Sequence, residues 1–349
     1  MAFQWKLDPA ELFVERYPQM VNTGLPVADV DAVRAAITAM WPDEPGGWVH
    51  EWSRLGARYA EAGRHDAAVS AYGWARFPTL ADDAKHVAFQ RQLEQYQLAA
   101  AEFPVSFERR VLHLPHAGST TPVPVHLLGA HDRPDPAPVL LVSGGVDSWK
   151  MDLHNLFASL AVRTGALVVA FDIPGTGESQ LPLDVTSAEL VDELVAAARE
   201  LGNGRVVHFG ISMGGYFSAR TGLSGHADAA VVLGGPVEAA FAPDRGWAFG
   251  MAGIVGNAMG FDAVPEPAEM SERMAAMTLR PLLDLDTGSP MLIVNGADDV
   301  HIPATDTLVF EGRRATEVHL MPDTGHCAIS KLPAALDIIV PWLQRNLRD

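Results

Sequence analysis

The stretch Arg205-Val206-Val207-His208-Phe209-Gly210-Ile211-Ser212-Met213-Gly214-Gly215-Tyr216 decides how the chain is read. Arg205–Ile211 is a short apolar run of the kind that forms a buried strand, and Tyr216–Leu223 beyond it is compatible with a helix. Between them Gly210-Ile211-Ser212-Met213-Gly214 fits G-x-S-x-G, the pattern of a tight strand-to-helix turn with a serine at its apex. A serine hydroxyl is a weak nucleophile until such a turn lifts it out. The flanking glycines let backbone segments pass without a Cβ clash, and the helix N-terminus favours developing negative charge. Ser212 is the candidate nucleophile. Five residues make a permissive pattern, so the rest of the chain must supply the sheet and the partners.

Outward from this turn, short apolar runs recur at Val105–Leu114, Val123–Gly129, Val139–Ser143, Ala166–Ile173, Arg205–Ile211, Ala229–Leu233, Met291–Asn295 and Glu317–Met321. From Val139 onward they alternate with helical stretches near Leu153–Arg163, Ser187–Leu201, Gly215–Leu223, Ala304–Glu311 and Leu332–Leu347. Alternation of this kind predicts an α/β fold with a mostly parallel central sheet and helices on both faces. Residues 237–285 interrupt it, being rich in Gly, Met and Phe and broken by prolines, and read as an inserted lid. Within them Gly246–Phe261 carries no charge but is too short and glycine-rich to span a bilayer, so it reads as a mobile cover over a pocket. Pro9 to Phe103 has apolar residues at three- and four-residue spacing with breaks at Pro18, Pro26, Pro42–Gly47 and Phe77-Pro78, which predicts a helical N-terminal domain. Within it Leu55, Tyr59, Ala67, Ala71 and Ala75 look like one helical hairpin turning at Gly63. The expected domains are 1–104, helical, and 105–349, catalytic.

An elbow serine needs a base and an acid, in the chain order Ser, acid, His. Gly296-Ala297-Asp298-Asp299-Val300-His301-Ile302-Pro303 closes one strand, and Pro322-Asp323-Thr324-Gly325-His326 closes the next. His326 is the expected base and Asp299 the expected acid. Asp299 is favoured over Asp298 because it lies deeper in the turn toward Pro303. Oxyanion donors are expected from the N–H of Met213 and from Gly145 or Val146 in Gly144-Gly145-Val146-Asp147-Ser148. Asp147 reads either as a turn or cap residue or as a carboxyl pointing into the site, where it could hold a carbonyl or help to protonate a carbon leaving group. His301 reads as a surface loop residue and Cys327 as a packed small residue. Asp172–Ser179 has neither G-K-[ST] nor a full G-x-G-x-x-G, so it reads as a turn and nucleotide hydrolysis drops out.

Gly210–Gly214, Asp172–Ser179, Gly296–Pro303 and Gly325-His326 together resemble the α/β-hydrolase superfamily over roughly Val105–Asp349. Met40-Trp41-Pro42, Glu44-Pro45-Gly46-Gly47-Trp48, Phe77-Pro78, Gly144–Ser148 and Thr324-Gly325-His326-Cys327-Ala328 resemble its FrsA-like esterase family. The resemblance implies an α/β-hydrolase fold, a helical N-terminal domain acting as a cap, and hydrolysis of an ester or a carbon–carbon bond. A member of that family has a glutamate at the position matching Asp147. The shorter side chain here keeps the acid with less reach.

Composition narrows the partners. With 48% hydrophobic and 19% charged residues the chain is globular in type, and 25 Lys plus Arg against 43 Asp plus Glu give a net charge of −18. Nucleic acid and anionic membranes are disfavoured. Cys327 is the single cysteine, so neither an intramolecular disulfide nor a cysteine zinc site can form, and the N-terminus lacks the apolar core of a signal peptide. A cytoplasmic location is expected, with a small-molecule substrate, no metal or organic cofactor, no stable membrane insertion, and room for a homodimer. Trp149, Phe241, Trp247, Phe249, Met251, Met259 and Phe261 read as an apolar substrate pocket or as core. Three functions follow: a Ser-His-Asp hydrolase forming an acyl-enzyme on an apolar or aromatic ester, lactone or ketone; a β-diketone-type carbon–carbon hydrolase assisted by Asp147; or a non-catalytic binding protein retaining the fold.

Overall fold

The computed structural model describes residues 3–243 and 246–348. Five helices come first: α1 (Pro9–Asn22), α2 (Val27–Ala36), α3 (Trp48–Glu61), α4 (His65–Arg76) and α5 (Asp83–Ala99). Their ends follow local chemistry: Asp8 caps α1 by accepting the Ala10 N–H at 2.8 Å, with Pro9 in its first turn, and Asp82 caps α5 through Lys85 N–H at 3.0 Å. The α3–α4 hairpin turns at Gly63, which takes a φ of +70°. Its core is aromatic. Phe13, Trp48, Trp52, Trp74 and Phe77 pack in mutual ring contact, and the Trp48 indole N–H donates to Trp74 O at 2.6 Å.

The strands follow as β1 (Ser106–His116), β2 (Ser119–Gly129), β3 (Val139–Ser143), β4 (Leu167–Phe171), β5 (Val206–Ile211), β6 (Ala229–Leu233), β7 (Met291–Gly296) and β8 (Thr316–Met321). Between and after them lie α6 (His154–Thr164), α7 (Ser187–Glu200), α8 (Met213–Leu223), α9 (Met251–Ala258), α10 (Pro267–Ala275), α11 (Arg280–Leu283), α12 (Ala304–Leu308) and α13 (Leu332–Asn346). The strands form one sheet in the order β1-β2-β4-β3-β5-β6-β7-β8. All pairings from β4 to β8 are parallel, whereas β2 pairs antiparallel with both β1 and β4. Every residue of β3 to β7 is buried, as continuous apolar runs covered on both faces require. The register aligns the carboxyl ends: Ser143 pairs with Gly210, Ile211 with Leu233, Leu233 with Val294, and Gly296 with Met321. The loops after β3, β5, β7 and β8 therefore leave the sheet along one edge, where open parallel sheets bind ligands.

The described residues form two compact units, 3–103 with Trp247–Pro265, and 104–243 with 246 and 266–348. The glycine-rich stretch read above as part of a lid on the catalytic domain thus packs within the helical unit. The reason is steric. Gly250, Gly253 and Gly256 place small residues along one face of the α9 segment, and a Cβ on Gly253 would collide with the Trp5 ring. Thr79 donates to Asn257 Oδ1, while Ile254, Val255, Ala258 and Met259 are buried. Low charge and high glycine content here reflect close helix packing. Among the described residues no helix is long and apolar enough to cross a membrane.

Candidate active site

Ser212 sits between β5 and α8 with φ +56° and ψ −126°, a backbone state that a non-glycine residue adopts only where its surroundings enforce it. The surroundings are visible. A Cβ on Gly210 would run into Gly214 O, and one on Gly214 into Gly144 O, so side chains at either position would force the turn open. The Ser212 N–H donates to Leu233 O at 2.8 Å and its carbonyl accepts Gly215 N–H at 2.8 Å, fixing the residue from both sides.

His326 follows β8. Its Nε2 lies 2.9 Å from Ser212 Oγ, and its Nδ1 lies 2.8 Å from Asp299 Oδ2. In the neutral imidazole a carboxylate facing Nδ1 draws the proton to that nitrogen, which leaves Nε2 to accept the Ser212 O–H. Asp299 also accepts the His301 and Ile302 N–H groups on Oδ1, at 2.7 and 3.0 Å, and the Asn295 amide on Oδ2, at 2.8 Å. Of the two adjacent carboxylates, the Asp299 side chain is 1% exposed and bound to His326, while Asp298 is exposed. Burial pushes the Asp299 carboxyl up, but hydrogen bonds from His326, Asn295 and Ile302 outweigh it and hold it below the usual carboxylate range. Burial likewise opposes a charge on His326, Cys327 and Asp299 favour it, and the balance lies above the ordinary histidine value. Cys327 Sγ lies 3.3 Å from Leu233 O, and the Asp299 carboxylate faces Nδ1 of the ring.

The loop after β3 approaches the serine directly. A Cβ on Gly145 would come to 2.9 Å from Ser212 Cβ and 3.0 Å from Oγ. Gly145 N–H, one of the two donors expected from this loop, instead closes the loop on Ser148 O at 3.0 Å. Of the pair, Val146 is left as the candidate donor. Met213 opens α8, where the first N–H groups lack intrahelical acceptors. Trp149, expected against substrate, is 2% exposed, and its indole N–H donates to Val146 O at 3.1 Å. It shapes the loop from behind. Asp147 is partly buried and accepts Ser148 Oγ–H at 3.3 Å.

Two features escaped the sequence reading. Lys150, ending this loop, is fully buried between Asp172 and Glu178: its Nζ pairs with Asp172 and with Glu178 Oε2 at 2.9 Å, and its N–H donates to Asp172 Oδ1 at 2.9 Å. Burial alone would push Lys150 down, but the two carboxylates hold it above its usual value. The Asp172–Ser179 turn is thus an anchor for the loop after β3. The sequence carries only a lysine in the loop after Gly144-Gly145 and an aspartate, Asp172, at the end of the next apolar run. The second is His301, read as a surface residue, whose ring packs edge-on to His326 with centroids 5.2 Å apart. Its place beside Asp299 in sequence brings it there.

The other expected pocket residues divide. Phe241 is buried, edge-on to Tyr216 at 5.6 Å, so it is core of the sheet unit. Trp247, Phe249, Met251, Met259 and Phe261 belong to the helical unit. Phe249 is half exposed at a φ of +50°, and Met259 is buried. Among the described residues no group of three or more His, Cys, Asp or Glu could hold a metal ion.

Residues 137–267 match the family model of the alpha/beta hydrolase fold. Esterase FrsA of Photobacterium profundum is 27% identical over 243 residues, covering 60% of this chain and 57% of the relative. The chain spans only about half the length of the curated relatives it matches. Among solved structures, a 2,6-dihydroxy-pseudo-oxynicotine hydrolase superposes with a TM-score of 0.75 at 20% identity over 95% of both chains. A structure titled AbyA5 wildtype gives 0.74 at 24% over 92% of this chain and 93% of that one. At such identities the superpositions speak for the fold. Taken with the sheet order and the serine turn, they give this chain the α/β-hydrolase fold, and its sequence is similar to those of FrsA esterases.

Proposed function

We propose that this chain is a serine hydrolase that opens a carbonyl compound through an acyl-enzyme. The observation that carries the reading is the unbroken hydrogen-bond chain Ser212 Oγ–His326–Asp299 at the carboxyl edge of the sheet. Ser212 Oγ attacks the carbonyl carbon as His326 Nε2 takes its proton, and Asp299 stabilises the imidazolium. The N–H groups of Met213 and Val146 receive the negative oxygen. His326 then protonates the leaving group, and a water that it activates releases the acid and regenerates Ser212. A small to medium apolar or aromatic ester, lactone or ketone suits this chemistry, which draws on the chain's own residues. The esterase names of the curated relatives point the same way. A lone buried cysteine fits a reducing compartment such as the cytoplasm.

The test is intact mass and peptide mapping after treatment with a fluorophosphonate, on the native protein and on Ser212→Ala. One adduct, on Ser212 and absent from the variant, is expected. A folded protein without an adduct would overturn the hydrolase reading in favour of a binding protein.

A further inference from the structure

Asn295 is the last residue but one of β7, fully buried, and no part of the Ser, His and acid pattern. Its two amide atoms face two different parts of the site. Nδ2 donates to Asp299 Oδ2 at 2.8 Å, the same oxygen that accepts from His326 Nδ1, and Oδ1 accepts the Cys327 N–H at 3.0 Å. The orientation of the amide is dictated by its partners, since a carboxylate oxygen can only accept and a backbone N–H can only donate. Cys327 and Ala328, directly after His326, both sit in the left-handed region at φ +54° and +48°. Consecutive left-handed residues with side chains are costly and persist only where the surroundings over-determine them. The Asn295 carbonyl holds the first of them, and Gly325 O accepts the Ala328 N–H at 2.9 Å.

We propose that Asn295 is a positioning residue that sets the acid and the base against each other, its donor end aiming Asp299 Oδ2 and its acceptor end fixing the backbone that presents His326. The proposal rests on the serine-hydrolase reading and adds a fourth side chain to it. Asparagine suits the position because it alone, at this size, supplies one donor and one acceptor on a rigid plane. Aspartate would keep the acceptor for Cys327 but turn an anionic oxygen toward Asp299. Leucine would fill the space and do neither.

The test uses Asn295→Asp, Asn295→Leu, Asp299→Asn and the double variant Asn295→Leu/Asp299→Asn, each checked for folding by circular dichroism and thermal unfolding. Two readouts are taken: the far-downfield proton resonance of the His326 Nδ1–H, assigned by its loss in Asp299→Asn, and the rate of Ser212 modification by a fluorophosphonate across pH. The resonance is expected in the native protein and lost in both Asn295 variants. The modification rate should fall roughly 10- to 100-fold, the size of a lost hydrogen bond to a charged group. In Asn295→Leu, which brings no charge, the acid limb of that rate should move down toward the ordinary histidine value, as in Asp299→Asn. In the Asp299→Asn background, Asn295→Leu should cost little more, because both changes break one unit. A penalty of equal size in both backgrounds, or a folded Asn295 variant that keeps the resonance and the native rate, would overturn the proposal. Should Asn295→Leu fail to fold, Asn295→Asp, which retains size and the Cys327 contact, decides alone. A native protein that shows the Asn295-dependent resonance but forms no Ser212 adduct would refute the hydrolase reading and leave the positioning role standing.

Discussion

At the level of single residues, the position that constrains the chemistry most tightly after the serine is Gly145. Its Cα faces Ser212 so closely that one added methyl would meet both Cβ and Oγ of the serine. Cβ belongs to the strained turn and cannot swing away, so the methyl must displace either the nucleophile or the loop that carries Val146. Gly145→Ala should therefore fold with nearly native thermal stability and lose on the order of 100-fold in the rate of Ser212 modification, the cost of a misplacement near 1 Å. Rates measured on the two proteins at matched pH check it. An alanine variant with the native rate would mean that the loop yields freely. That Ser212, His326 and Asp299 would meet was legible in the sequence because each is a short-range pattern: a residue type at a fixed offset from the end of an apolar run. Gly145 was legible only as a donor, and there the backbone differs, since its N–H is turned to Ser148 O. Asn295 was invisible for the opposite reason. Its partners lie four residues on and 32 residues on, and nothing local distinguishes it from any strand-end asparagine.

At the level of elements, the sheet came directly from the sequence because the buried parallel strands β3 to β7 are continuous apolar runs, and all eight apolar runs became strands. The α9 segment did not, because a glycine-rich apolar stretch has the same composition whether it is loose or packed against a tryptophan. Here Trp5, far away at the other end of the chain, decides the matter. Long-range charge pairing hid in the same way at the loop after β3. Lys150 has no exposed atom with which to reach water, and it ties that loop to the turn after β4 through Asp172 and Glu178. Removing Lys150 leaves the buried Asp172 carboxylate without its cation, while Glu178 keeps Arg109. Lys150→Met should cost roughly 3–5 kcal/mol of stability, whereas Lys150→Met combined with Asp172→Leu should recover part of it. Urea unfolding followed by far-ultraviolet circular dichroism gives the comparison. A single variant within about 1 kcal/mol of native would show that the cluster contributes as little as a surface pair.

At the level of the whole molecule, stability depends on pH through a group far from the triad in sequence. Lys85, on α5, is fully buried and donates to the carbonyls of Phe77 at 2.6 Å and Ala75 at 3.4 Å. Burial pushes its amine down to about 7, with Asp82 opposing and Arg76 reinforcing the shift. The unfolded chain returns it to the ordinary lysine value of about 10.4. Between those values the unfolded state binds a proton that the folded state does not, so folding stability rises with pH across that window. Below about pH 7 both states are protonated and the charge is carried in the interior at full cost. The slope from this one group approaches about 1.4 kcal/mol per pH unit at its steepest. Lys85→Met removes the titrating amine while keeping the length of the side chain. Other groups titrate in both proteins, so the quantity to compare is the difference in slope between native and variant. Six of the eight tryptophans lie in the helical unit that contains Lys85, which makes their fluorescence the natural probe of its denaturant unfolding. Native stability should climb faster than that of Lys85→Met from about pH 7 to about pH 10, the two curves converging toward the alkaline end. Parallel curves would mean that the buried amine stays charged, held by the two carbonyls alone.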